Sequence, residues 1–483
     1  MEISLKKIIF VQDISNAKLM EFKKLIDRGA ELERMNEALH REDTQFIVIY
    51  GRRRIGKSEL IKRIVKARHK AIYFLSDTSS ETVQRVAFSK VAASVIDGFD
   101  KVIYPDWETL FRSFNNQLSE RMLVCLDEFP YLVKSCDVLP SIIQKLLNEK
   151  ILKFDLVLCG SSQQLMHGYV LNRQSPLYGL ANEIMKMQPI PAQYMSMAME
   201  CDAVQAVEEY AIWGGVPRYW ELRRDYPDKE TAIRKVLLDP QGPLTEEPQR
   251  LLHDDMRDTV QASTLLTIIG NGANKLSEIA NRAGKDSSTI SEPLSKLREL
   301  GYVSREVPFG ESPKKSKKGI YHINDSLLRF HYQFIVPYRS ILELGRMDIV
   351  MQVVLSQLPQ FIGQCWELLC REYVSGNIID GIAYNVASRW WGKIFPPENK
   401  DGKIVELDVV AESIDKKHIL VGECKWTHDE DADRLMNVLE QKAKYLPFIK
   451  KGQEIHLVLF LKESPTHCAK DMRVFLPSDV MKN

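Results

Sequence analysis

Phe46-Ile47-Val48-Ile49-Tyr50-Gly51-Arg52-Arg53-Arg54-Ile55-Gly56-Lys57-Ser58 is the stretch from which the rest of this chain can be read. An apolar strand runs straight into G-x4-G-K-S, and Glu59-Leu-Ile-Lys-Arg-Ile-Val65 continues as a helix. That is the strand–loop–helix context of a phosphate-binding loop. Gly51 and Gly56 let the backbone bend so that the N–H groups of Arg52, Arg53, Arg54 and Ile55 turn inward. Lys57 reaches the outer phosphates, Ser58 offers a hydroxyl to Mg²⁺, and the helix N-terminus beginning near Glu59 adds partial positive charge. A bound nucleoside triphosphate with Mg²⁺ is the expectation.

The composition bounds the rest. A chain of 483 residues is too long for one ordinary core and predicts about three domains. The 45% apolar and 27% charged content is that of a soluble globular protein. A net charge of +1 excludes a polyanion-binding surface over the whole molecule, so any nucleic-acid contact is a local patch. None of the eight cysteines forms a C-x2-C pair, and several lie in apolar runs. They signal buried thiols in a reducing, cytoplasmic setting, not a zinc cluster or a disulfide framework. Neither a secretory signal nor a membrane span is expected.

Beyond the loop, apolar runs recur at Ala71–Leu75, Met122–Leu126 and Leu156–Cys159, with a weaker one at Ile184–Met187. Continuous apolar strands alternating with helical segments predict an α/β fold whose parallel sheet is covered on both faces. The third strand ends in Asp127-Glu128, which suits a carboxylate for the Mg²⁺ shell followed by one that orients or deprotonates water. Gly160-Ser161-Ser162 ends the next strand and reads equally well as a phosphate contact or a plain turn.

The order of the phosphate loop, Leu126-Asp-Glu-Phe-Pro-Tyr-Leu132, Leu158-Cys-Gly-Ser-Ser162, Ser175-Pro-Leu-Tyr-Gly179 and Gly214-Gly-Val-Pro217 resembles the archaeal-type ATPases. These are AAA+-related P-loop proteins of the signal-transduction kind. The resemblance implies that Arg28 and Glu31 help seat ATP or ADP and that Pro217 touches the nucleotide from a helical lid. It also implies switching between nucleotide states. One departure stands out. The family places arginine after Pro-Leu-Tyr-Gly, whereas this chain has Leu180-Ala181-Asn182. Such an arginine is worth ~10³-fold or more in rate, so slow hydrolysis is expected unless Arg173 substitutes for it.

Leu276–Ala283, Gly284 and a second helix at Ser291–Leu300, with Asp286–Ile290 as its cap, then a hairpin over Tyr302–Ile323, predict a winged helix-turn-helix. Ser288 and Thr289 open the groove-reading helix. Lys314, Lys315, Lys317 and Lys318 on the hairpin tip suit DNA phosphates. Pro293 fits only if that helix begins at Ser291.

Near the C-terminus, Ile404–Ala411 and His418–Lys425 alternate as strands. With a four-residue turn, Asp408 opposes Glu423 and Glu406 opposes Lys425. Two carboxylates about 5 Å apart repel unless a cation intervenes. Asp408…Glu423-Cys424-Lys425 resembles the D-x(n)-E-x-K core of restriction-endonuclease-like nucleases. That likeness implies a Mg²⁺ site on Asp408, Glu423 and Glu367, with Lys425 beside it and Gln441 and Tyr445 on the next helix. The expected division is an N-terminal extension over 1–20, an ATPase core over 21–194 and a helical lid over 195–250. A winged helix over 251–345 and a nuclease-like domain over 346–483 follow. Two functions stay open: an ATP-controlled, DNA-directed nuclease, or a non-cleaving switch that binds DNA or protein. A homo-oligomer is compatible with either.

Overall fold

The computed structural model describes residues 27–397, 401–468 and 472–482. The extension expected over 1–20 lies outside them. By its internal contacts the chain divides into two compact units, residues 1–190 with 216–218, and residues 191–215 with 219–483.

The first unit is built on β1 (Phe46–Tyr50), β2 (Ala71–Leu75), β3 (Met122–Asp127), β4 (Phe154–Gly160) and β5 (Glu183–Lys186). All are parallel, in the order β2-β3-β4-β1-β5. The five apolar runs are therefore the five strands. Their continuous apolarity has a direct cause in the packing. Phe46 and Val48 enter a core with Trp107, Phe111 and Phe114 on one face, while Ile47 and Ile49 enter a core with Leu60, Ile61 and Ile64 on the other. Because side chains alternate across a strand, a sheet covered on both faces needs apolar residues at every position.

Strand order also positions the loops. β4 lies between β1 and β3, so the turn after Gly160 falls between the phosphate-type loop after β1 and the acidic pair at the end of β3. A half-buried ion pair secures the opposite end of the sheet. Asp155 accepts from Arg121 (2.6 Å) and from the Gln45 backbone N–H (2.7 Å), joining the segments that start β3, β4 and β1.

In the second unit, helices Thr259–Gly270, Leu276–Arg282 and Ser287–Glu299 precede an antiparallel hairpin, β6 (Val303–Glu306) and β7 (Ile320–Ile323). They enclose one core that includes Leu266, Ile279, Ile290, Leu294 and Tyr302. The second helix begins at Ser287, four residues earlier than expected, so Pro293 lies in its interior. Proline there removes the hydrogen bond to the Thr289 carbonyl, which lies on the exposed face where water can take its place.

The chain continues through the long helix Met347–Val374 and two short strands, β8 (Ile378–Ile379) and β9 (Ile382–Ala383). β10 (Ser388–Ile394), β11 (Lys403–Glu412), β12 (His418–Lys425), β13 (Glu454–Leu461) and β14 (Arg473–Phe475) form a mixed sheet in sequential order. Its first three strands are antiparallel and its last three parallel. Helix Ala432–Ala443 covers one face through Met436 and Leu439, and Trp366 of the long helix donates to the Phe460 carbonyl from the other (3.2 Å). The β11–β12 register is the one the four-residue turn predicts, with Val409 opposite Gly422 and Glu412 opposite Ile419. The expected Asp408–Glu423 and Glu406–Lys425 pairs are both absent from it. The ladder stops at Val409, where the Asp408 carboxylate takes the Cys424 N–H itself (2.9 Å); on the other edge of β11, Glu406 pairs with Trp391 of β10. No helix among the described residues is long and apolar enough to cross a membrane.

His331 is buried, edge-on to the Tyr332 ring, and burial followed by the charge of Arg339 lowers its pKa to about 4. An unfolded histidine titrates near 6.5, so between these values the unfolded chain binds more protons. Stability from the neutral ring is complete above 6.5 and is lost as pH falls toward 4. Between pH 7 and pH 5 the loss from this one group is about 2 kcal/mol. Urea denaturation of wild type and His331→Phe at the two pH values should show a smaller acid-side loss in the variant.

Candidate functional site

The loop Gly51–Gly56 folds so that the Lys57 ammonium donates to the carbonyls of Gly51 and Arg52, both at 2.9 Å. Arg54 and Gly56 take left-handed backbone conformations (φ 66° and 99°), which close the loop over the start of helix Lys57–Lys66. A Cβ at Gly51 would meet the Met187 carbonyl oxygen at 2.6 Å, so only glycine fits there. Pro217 lies against Gly56, its Cγ 4.0 Å from where a Cβ would stand. Arg28 is buried, with guanidinium bonds to Glu31 (2.9 Å), the Ile55 carbonyl (3.1 Å) and the Gln188 carbonyl (2.8 Å). It braces the loop through its backbone. Glu59 points outward and pairs with Arg63.

Asp127 is fully buried at the end of β3. Its carboxylate accepts from the Tyr73 hydroxyl (2.6 Å) and the Glu128 N–H (2.9 Å). Burial, with Asp127 next to it, raises the Tyr73 hydroxyl, and Ser58 also reaches that hydroxyl. Tyr73 thus links the serine after Lys57 to Asp127, a role no sequence motif announced. Glu128 sits in a left-handed conformation (φ 55°) that turns its carboxylate toward the end of β4. There it accepts from Ser161 Oγ (2.9 Å) and Ser161 N–H (3.2 Å). Ser162 instead caps the following short helix. Leu180 is half-buried, Asn182 accepts from the Phe46 N–H (2.7 Å) and Arg173 is exposed.

In the second unit a separate charged cluster surrounds the end of β12. Asp408 and Glu367 approach each other in a mostly buried setting. Burial, then the Asp408 charge, raises Glu367 to about 7. Burial, then Glu423, raises Asp408. Burial also works to raise Glu423, but Lys425 and Lys442 outweigh it and hold its carboxyl below the ordinary range. Those ammoniums lie 2.9 and 2.8 Å from its oxygens.

Residues the sequence did not single out complete this cluster. Arg371 donates to the Asp408 carbonyl (3.0 Å), and it and Arg389 lie 3.8 and 4.0 Å from Glu367. Glu306, from the hairpin strand β6, lies 3.4 Å from Arg371. Lys442 stands where Gln441 was expected, since Gln441 is exposed. Tyr445 packs against the sheet core.

Ser288 and Thr289 are exposed on the first turn of helix Ser287–Glu299, and Lys314, Lys315, Lys317 and Lys318 are exposed on the hairpin loop. The loop is more ordered than a free tip. Arg305 ties it together through the carbonyls of Pro313 and Ser316, Lys318 pairs with Glu311, and Phe309 packs on Phe448 of the C-terminal sheet.

Residues 25–221 match a family described as an ATPase domain predominantly from Archaea. Residues 331–444 match a family of archaeal and bacterial proteins of unknown function. An uncharacterized protein of Methanocaldococcus jannaschii is 30% identical over 431 residues, spanning 87% of this chain and 92% of that protein. The chain belongs to the archaeal ATPase family. Among solved structures, the Aeropyrum pernix ORC2 protein aligns with a TM-score of 0.45 at 12% identity over 69% of this chain and 96% of that one. A STAND protein with a tetratricopeptide repeat sensor from Pyrococcus horikoshii aligns with a TM-score of 0.31 at 13% identity, over 72% and 49%.

In this archaeal ATPase, Lys57→Ala removes a cation that two loop carbonyls hold at the mouth of the phosphate-type loop. The expected outcome is at least about tenfold weaker binding of a fluorescent ATP analogue, with an unchanged circular dichroism spectrum.

Proposed function

We propose that this archaeal ATPase is a slowly hydrolysing, ATP-dependent switch that binds DNA and controls a Mg²⁺-dependent nuclease-like centre in its second unit. The observation that carries the nucleotide half is the convergence of Lys57, Asp127, Glu128 and Ser161 around three strand ends. Gly51–Ser58 bind the phosphates, with Arg28 and Glu31 bracing the loop and Pro217 covering it. The donor set suits a hard cation. Asp127 is a fully buried carboxylate whose hydrogen bonds come from neutral groups, and Ser58 supplies a hydroxyl near it. Mg²⁺, when bound, offsets negative charge on the phosphoryl oxygens. Glu128 orients or deprotonates the attacking water once Ser161 releases it. The absence of arginine after Gly179 accounts for slow turnover.

In the second unit, Asp408, Glu367 and Glu423 hold the metal and Lys425 steadies water or the phosphodiester. The fit rests on the upward shifts of Glu367 and Asp408, since two half-buried carboxylates that repel each other gain from a divalent ion. Ser288, Thr289 and the hairpin lysines contact DNA. One observation favours the rival reading of a non-cleaving switch. Glu423 is already neutralised by Lys425 and Lys442, so a metal must compete with two ammoniums.

Nicking of supercoiled plasmid in Mg²⁺ separates the two. For the nuclease, wild type nicks, and Asp408→Ala and Lys425→Ala each lose at least about 100-fold. Activity that survives both substitutions removes the centre from consideration. An inactive wild type that still shifts DNA on a gel in an ATP-dependent manner establishes the switch.

A further inference from the structure

A second group of metal-binding side chains lies at the opposite end of β12, on the other face of the sheet. β12 and β13 are parallel neighbours, with His418 opposite Glu454 and Leu420 opposite His456. Side chains two apart share a face, so His418, Glu454 and His456 project together. Glu423 and Lys425 differ from His418 by an odd number of residues and point the other way, Glu423 being about 17 Å farther along the strand.

The three donor atoms form a compact triangle. His418 Nδ1 is 3.0 Å from His456 Nε2 and 3.3 Å from Glu454 Oε2, and His456 Nε2 is 3.9 Å from that same oxygen. Four ligands arranged tetrahedrally around zinc at bond lengths of 2.0–2.1 Å stand about 3.3 Å apart. The observed edges bracket that value. The two imidazoles converge through ring nitrogens and not through their faces, since the ring centres are 5.1 Å apart and tilted by 51°. A hydrogen bond between the rings uses only two of these three atoms, and the carboxylate reaches both ring nitrogens.

The backbone holds this geometry in place. The Ser413 hydroxyl donates to Asp415 (2.5 Å) and accepts from the His418 N–H (3.0 Å), which locks the turn entering β12. The Glu454 N–H donates to the Lys417 carbonyl (2.8 Å), which fixes the start of β13 beside it. His418 and His456 retain 24% and 29% of their exposure, so an ion can enter from solvent.

We propose that His418, Glu454 and His456 form a zinc-class metal site that clips β12 to β13 and leaves a fourth coordination position open. Two imidazoles and one carboxylate suit a borderline divalent ion, whereas Mg²⁺ prefers oxygen donors alone. The site is thus chemically distinct from the acidic cluster at Asp408 and does not depend on that cluster cleaving DNA.

The test uses the full-length chain without a histidine tag, equilibrated with zinc, desalted and measured by inductively coupled plasma mass spectrometry. About one zinc per chain is expected for wild type and for Asp408→Ala/Glu423→Gln. His418→Ala/His456→Ala should lose at least tenfold in zinc affinity, and Glu454→Gln should lose less while keeping the fold. Cobalt substitution of wild type should give the visible ligand-field bands of a nitrogen and oxygen site, a readout that needs no variant. Wild type without stoichiometric zinc, unchanged affinity in the histidine and Glu454 variants, or a thiolate charge-transfer band would each overturn the assignment.

Discussion

A carboxylate left at the end of a buried apolar strand is the constraint around which both units are arranged. Taking such a group out of water costs several kcal/mol unless partners replace its hydration. β3 delivers Asp127 into the interior, and β11 delivers Asp408 to the edge of one. The two solutions differ. Asp127 is satisfied by a phenol and a backbone N–H, both neutral, so the negative charge is hydrogen-bonded but not cancelled. Around Asp408 the neighbourhood is crowded with opposite charges, from Arg371 and Arg389 on one side to Lys425 and Lys442 on the other. The first arrangement relies on neutral donors, whereas the second has recruited several cationic side chains.

That difference bears on how the two centres would respond to their ligands. A site with neutral donors needs little rearrangement to accept a metal, because nothing charged must leave. A site with interlocked ion pairs must redistribute them, and the pairs reach beyond one structural element. Glu306 belongs to the hairpin that follows the three small helices, yet it shares Arg371 with the acidic cluster. Phe309 fastens the same hairpin to the sheet through Phe448, and its N–H donates to the Arg389 carbonyl at 2.8 Å. A hairpin loop bearing lysines is therefore physically continuous with the charged groups that surround Glu367.

Much of this was legible because local chemistry and tertiary packing agree. The five apolar runs became five parallel strands, and a four-residue turn was enough to set the β11–β12 register. What could not be read came from contacts between distant segments. Tyr73 and Ser161 reach Asp127 and Glu128 only because β2 and β4 both flank β3. Lys442 stands one helical position from the expected Gln441, about 100° of rotation, which is enough to exchange an exposed face for a half-buried one. Pro293 points to a helix start at Ser291 because an interior proline forfeits a hydrogen bond, but the Thr289 carbonyl it frees lies on the exposed face of the helix.

The strand order also has a consequence in time. Strand β1 is flanked by β4 and β5, both made long after it, and the Gln45–Asp155 bond closes a separation of 110 residues. Loop closure on that scale must precede the contacts that reward it. During synthesis the strand leading into Gly51 has no sheet partner until β4 has emerged. A nascent chain that stops before Asp155 carries an intact phosphate-loop sequence and no structure able to hold it.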